Sequence, residues 1–174
     1  VSSGLVNRID VSHYRLSIHL ITAFIILSLI FWNFLKLTKI QINQLSIKLY
    51  VIKFFLFLIF LQLIIGAFVS GMDAGTIYNT WPLMGSSYFP DDSKFIEFLN
   101  ITFFDNPSIV QFIHRNLAYL IVIVYIYLLI FVFKETNKIF RKPILLIGIS
   151  LFLQVLLGIL TILSGVKIIY ASLH

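Results

Sequence analysis

Four apolar runs, each long enough to cross a bilayer, alternate with segments that hold most of the charge. Leu16–Leu35, Tyr50–Ser70, Ile109–Phe133 and Ile144–Leu163 are rich in Ile, Leu and Phe. A fifth run opens near Gly165 and continues to His174. A spanning helix needs about 20 mostly apolar residues, and the first four runs meet that length. None shows a period of two. Their backbones are therefore predicted to be satisfied inside helices rather than in a barrel. Ionisable residues inside the runs are few: His19 in the first, Lys53 near one end of the second, and His114 with Arg115 early in the third.

The connectors carry opposite signs, and this orients the spans. Lys36, Lys39 and Lys48 follow the first span with no acid among them. Lys134, Lys138, Arg141 and Lys142 follow the third against Glu135 alone. The positive-inside rule puts both on the cytoplasmic or matrix side. The connector Gly71–Ser108 instead holds Asp73, Asp91, Asp92, Glu97 and Asp105 against Lys94, so it is predicted to lie outside. It is far longer than the roughly 15 residues beyond which a loop tends to be functional or disordered. Its aromatics Tyr78, Trp81, Tyr88 and Phe89 suggest packing on the membrane face. These signs predict a multi-pass protein of a bacterial inner membrane or the mitochondrial inner membrane.

Composition agrees with that class. Of 174 residues, 60% are hydrophobic and 11% charged, whereas soluble domains carry about 25% charged residues. The net charge of +6 is spread between the apolar runs, which makes it a topology signal and argues against a nucleic-acid partner. There is no cysteine, so thiolate metal sites and disulfides are excluded. The chain starts at Val1 without a signal-peptide n-region, and His174 lies within an apolar run. The sequence is accordingly read as a piece of a longer protein.

The candidate chemistry lies in the histidines. His19, His114 and His174 each fall one to two turns from the outer end of a different run, taking about 1.5 Å rise per residue. A single intramembrane histidine serves a hydrogen bond to a neighbouring helix as readily as a function. Three at one depth favour ligation, because neutral imidazole is a good ligand for haem iron and bundle cores hold cofactors between facing helices. The cofactor expected is a b-type haem, with His114, His174 and His19 as candidate iron ligands. Arg15, four residues before His19, shares its face; Arg115 adjoins His114; Lys167 precedes His174 by two turns. Such cations suit haem propionates, the competing reading being contact with lipid headgroups. Zinc is less attractive, since a catalytic site needs three clustered ligands and no acid lies beside these histidines.

The stretch "GAFVSGMDAGTIYNTWPLMG" (Gly66–Gly85), followed by "VQFIHRNLAYL", resembles the heme A synthase family in its mitochondrial and proteobacterial branch. "VSSGLVNRIDVSHYRLSIHL" at the start and "LQVLLGILTILSGV" near the end are similar too, so the resemblance covers essentially the whole chain. It implies an all-α integral membrane protein of eight helices in two four-helix bundles. On that reading residues 1–45 end the N-terminal bundle, and 46–174 form a C-terminal haem b bundle. The resemblance implies that His114 and His174 are the axial pair of haem b, with Arg115 at its rim. It also implies that His19, with Arg15, faces the substrate haem. The partner of His19 and a glutamate tied to the family's chemistry would lie upstream, so no catalytic residue is assigned in this chain.

The family oxidises the C8 methyl of haem O to a formyl group, giving haem A for cytochrome oxidase. The implied partners are haem O, a haem O synthase, membrane lipid and an electron acceptor of unknown identity, and a homo-oligomer stays open. The histidines alone support a second function: a b-type cytochrome, an electron-transfer or anchor subunit without a substrate. The Asp-Ala-Gly to Pro-Leu-Met run separates the two, because an electron carrier has no use for it. A transporter ranks below both. Broken helices with paired interruptions would mark one, and the prolines here fall in connectors.

Overall fold

A computed structural model describes residues 12–38, 49–99, 101–135 and 138–174. It is all-α: α1 (His13–Leu37), α2 (Leu49–Gly71), α3 (Pro107–Lys134), α4 (Arg141–Leu163) and the short α5 (Ile168–Leu173). The first four are long and apolar enough to cross a membrane. Each contains one of the four predicted spans. Lys39 and Lys48, part of the orienting charge, lie outside the described residues, as do residues 1–11 and with them the start of the quoted N-terminal motif.

Local chemistry sets the helix ends. Asn106 caps α3, its side-chain oxygen accepting from the amides of Ser108 (3.0 Å) and Ile109 (3.2 Å). Pro107 follows in the first turn, where its missing N–H costs nothing. Pro143 is tolerated near the start of α4 for the same reason, so α4 begins three residues before the predicted Ile144. The fifth helix starts at Ile168 rather than near Gly165. There α4 stops in a Schellman turn, with Val166 N–H donating to Thr161 O (2.8 Å) and Gly165 N–H to Ile162 O (3.0 Å). Gly165 takes the left-handed φ of 72° that this turn requires.

The helices pack in chain order, each against the next. The core lies between α2 and α3, where Phe55, Leu58, Ile65 and Phe68 meet Val110, Leu117, Ile121, Leu128 and Val132, with Ile144 of α4 beside them. In lipid such contacts act through close packing more than through release from water, so small residues matter at the crossings. At Gly71 a side-chain methyl would come within 2.8 Å of the His13 backbone, and its absence lets the start of α1 rest on the end of α2. The Tyr125 hydroxyl reaches across to the Ile144 carbonyl (3.0 Å), over Gly148. The opposite side of α1 is open: Ile18, Ile25, Leu29, Trp32 and Leu37 are all exposed.

The connector from Gly71 to Ser108 folds into a cap over the ends of α2, α3 and α4. Three 3₁₀ turns shape it: Ala74–Thr76, Phe95–Leu99 and Ile101–Asp105. Asp91 gathers Ser86 N–H (2.8 Å) and the hydroxyls of Ser86 and Ser87 (3.1 and 2.9 Å). These donors hold its carboxyl below the usual carboxylate range, the Ser86 amide contributing most. Asp92 accepts from Ser108 Oγ at 2.7 Å, tying the connector to the first turn of α3. Among the described residues there is no strand, only an isolated bridge between Met84 and Ser87.

Candidate functional site

The rings of His114 and His174 face one another with centres 6.2 Å apart and planes at 88°. His114 comes from α3 and His174 follows α5, both at the end of the molecule that carries the connector. His114 is half-buried, with Nδ1 enclosed and without a hydrogen-bond partner. Its Nε2 lies 3.2 Å from Gln62 Nε2, and the same amide donates to the His114 carbonyl at 3.2 Å. His174 is exposed, and its ring lies against Gly158 of α4.

A bis-imidazole haem fits this donor set. The 6.2 Å between ring centres is about twice the sum of a metal–nitrogen bond (about 2 Å) and the distance from ring centre to nitrogen (about 1 Å). The enclosed Nδ1 is a polar atom without a protein partner, and such atoms are rare unless a ligand serves them. Glycines back both rings. A methyl at Gly66 would stand 3.2 Å from His114 Cε1, and one at Gly158 would stand 2.8 Å from His174 Cε1. Among the described residues no three His, Cys, Asp or Glu side chains cluster as a metal-ion site. Two facing imidazoles suit a porphyrin, which supplies the other four donors itself.

The other expected residues go elsewhere. His19 and Arg15 share one face of α1, as their spacing requires, but that face points away from α2 and is exposed. They do not join His114 and His174. Ser17, on the other side of α1, is buried against α2, its hydroxyl 3.5 Å from the Ile64 carbonyl. Lys167 sits exposed at the start of α5.

Arg115, expected at a propionate or a lipid phosphate, is directed to the connector. Its guanidinium donates to the carbonyls of Tyr78 (2.9 Å), Thr80 (2.8 Å) and Leu83 (3.3 Å), and the residue is only 7% exposed. Successive residues on a helix point about 100° apart, and Arg115 is turned toward the connector while His114 faces His174. Gln111, one turn before Arg115, donates to the same Tyr78 carbonyl at 3.0 Å. Trp81 Nε1 donates to the Tyr119 hydroxyl at 3.0 Å, and the Tyr88 hydroxyl donates to Asn116. Asn79 Nδ2 donates to Ile162 O at the end of α4 (3.1 Å). The Tyr-Asn-Thr segment therefore docks the connector on α3, which carries His114, and on α4, which backs His174.

Gln62, Gly66 and Gly158 also lie at the rings. In sequence, a glutamine inside an apolar run reads as an interhelical hydrogen-bond former, and a glycine there carries no chemistry of its own. His13 pairs with Asp105 (3.4 Å) beside the Tyr14 hydroxyl, which donates to the same carboxylate at 2.8 Å.

Comparison with known proteins adds independent information. The model of the cytochrome oxidase assembly protein family COX15-CtaA matches residues 1–174. A heme A synthase of Pelagibacter ubique is 47% identical over 174 residues, covering 100% of this chain and 51% of that protein. Heme A synthases of Rickettsia bellii and Wolbachia pipientis are 42% and 38% identical, each over 100% of this chain and 53% and 49% of their own lengths. The chain thus spans about half the length of these relatives. No solved structure matches it.

Proposed function

The chain belongs to the COX15-CtaA family of cytochrome oxidase assembly proteins, and we propose that it forms the C-terminal part of a membrane oxidoreductase of haem A biosynthesis. On this reading the full protein converts the C8 methyl of haem O to a formyl group. Residues 46–174 would form the bundle that binds a haem b, and 1–45 would end the bundle that receives the substrate haem. The observation that carries the proposal is the facing of His114, on α3, and His174, just after α5, across 6.2 Å.

The residues would divide the work as follows. His114 and His174 would hold the haem iron, each ring lying against a glycine of the helix behind it. Arg115, Gln111 and Asn79 hold the connector over the outer opening, and so keep water from the site. Lys167, exposed two turns before His174, is placed to meet a propionate. His19 and Arg15, on the open face of α1, would address the substrate haem with residues outside this chain. Removing electrons from an unactivated methyl is beyond side-chain acid–base chemistry, and haem iron supplies the redox chemistry when bound. The acidic connector would lie on the outer side of the membrane, opposite the basic segments around Lys36 and Lys138.

The reading is tested by extracting the haems of the purified full-length protein into alkaline pyridine and separating them. Haem b together with haem O or haem A is the expected result. Haem b alone would favour a plain b-type cytochrome and overturn the enzymatic reading.

A further inference from the structure

The helices that back the two rings carry the same short pattern. On α2 it is Leu61-Gln62-Leu-Ile-Ile-Gly66; on α4 it is Leu153-Gln154-Val-Leu-Leu-Gly158. Each glycine lies against the imidazole borne by the next element in the chain: Gly66 against His114, Gly158 against His174. Gln62, four residues before Gly66, touches that imidazole through its side-chain amide, 3.2 Å from Nε2. Gln154 stands at the same spacing before Gly158, its backbone beside the His174 ring.

The spacing has a physical basis. In an α-helix the carbonyl of one residue points toward the residue four positions later. A glycine there leaves that carbonyl without a flanking Cβ, so a ring from the neighbouring helix can lie against the bare backbone. The ring then meets a shallow notch and a polar group together, which fixes both its distance and its rotation. A ligating imidazole needs such fixing, because its orientation sets the ligand strength felt by the metal.

We propose that Gly66 with Gln62, and Gly158 with Gln154, form two equivalent cradles that seat the ligating imidazoles, and that the glycines are the positioning residues of the pair. The inference rests on reading His114 and His174 as haem ligands. The notches are not equally tight. A methyl at Gly158 would sit 2.8 Å from Cε1 and 3.1 Å from Nε2 of His174, closer than carbon atoms tolerate, so the ring must move. At Gly66 the nearest ring atom would be 3.2 Å away, and a shift of a few tenths of an ångström relieves it.

The test compares Gly158→Ala, Gly66→Ala and Gln62→Leu in the full-length protein, reading low-spin haem by absorption and electron paramagnetic resonance, with no reliance on turnover. Gly158→Ala is expected to lower the low-spin signal by roughly tenfold or more, and Gln62→Leu to weaken haem retention about tenfold. Gly66→Ala is expected to shift the resonance positions with most of the haem kept. Folding is checked by placing Gly158→Ala together with His174→Gly and adding free imidazole, which is untethered and can settle beside the new methyl. Recovery of the low-spin signal supports the cradle. An unchanged Gly158→Ala spectrum, or a lost signal that free imidazole cannot restore, overturns it. Parallel His114→Ala and His174→Ala variants separate the two failures. If they keep their haem, the ligand assignment itself falls; if they lose it while the glycine and glutamine variants match the wild type, only the cradle falls.

Discussion

Replacing Arg115 by Met removes the clamp that holds the connector 71–108 on α3. The guanidinium donates to three carbonyls, of Tyr78, Thr80 and Leu83, at 2.8–3.3 Å. Hydrogen bonds from a charged donor are each worth about 1.5–3 kcal/mol, but burying the guanidinium offsets part of that sum. Gln111 would still hold the Tyr78 carbonyl, and the freed carbonyls lie close enough to the surface to be partly rehydrated. A net loss of about 2–4 kcal/mol in docking the connector is the reasonable expectation. At about 1.4 kcal/mol per factor of ten, amides of residues 78–85 should exchange with solvent deuterium roughly 30- to 1,000-fold faster. Arg115→Lys keeps the charge but not the planar fork, and should fall between. The assay is hydrogen–deuterium exchange in detergent micelles, with the α2–α3 core as internal reference. Unchanged exchange in Arg115→Met would refute the clamp and return Arg115 to a role at a propionate or lipid phosphate.

Three other outcomes are expected. Asn106→Ala removes the α3 cap and should cost about 1 kcal/mol, seen as a lower thermal midpoint in detergent; an unchanged midpoint would show that the cap is redundant. The carboxyl of Asp91 is held below its ordinary range by Ser86 and Ser87, so its contribution is complete above the ordinary carboxylate value and lost as pH falls through the lowered one. Trp81 fluorescence should therefore report loosening of the connector only under strongly acid conditions, and Asp91→Asn should show that loosening at neutral pH. Ser108→Ala unties Asp92 from α3 and should speed exchange around residue 92 without altering the haem spectrum; a changed spectrum would mean that the connector and the rings are coupled more directly than their contacts indicate.

How far the sequence revealed this molecule depends on which physical effect set each feature. The four spans were legible because a lipid-facing helix is specified by length and apolarity, and both can be read along a line. The start of α5 was displaced because the Schellman turn at Gly165 and Val166 takes up residues that composition alone assigns to the apolar run. The shared depth of His114 and His174 was legible from rise per residue, and their facing follows it. Depth carries no direction: His19 sits on the exposed side of α1, away from the two facing rings. Adjacency carries none either: the Arg115 guanidinium goes to the carbonyls of Tyr78, Thr80 and Leu83 rather than to the His114 ring. The connector carried the most specific motif, yet Asn79, Trp81 and Tyr88 reveal their docking role only through partners at Ile162, Tyr119 and Asn116, far away in the chain. Gln62 and Gly66 were visible all along as half of a repeat with Gln154 and Gly158, but nothing in the sequence alone placed imidazoles against them.

The central claim is that His114 and His174 grip one iron. The most direct measurement is low-temperature electron paramagnetic resonance of the oxidised full-length protein, beside His174→Ala at equal protein concentration. The low-spin bis-imidazole signal should be present in the wild type and absent from the variant, with the helical content of the two unchanged. An identical low-spin signal in both samples would contradict the assignment.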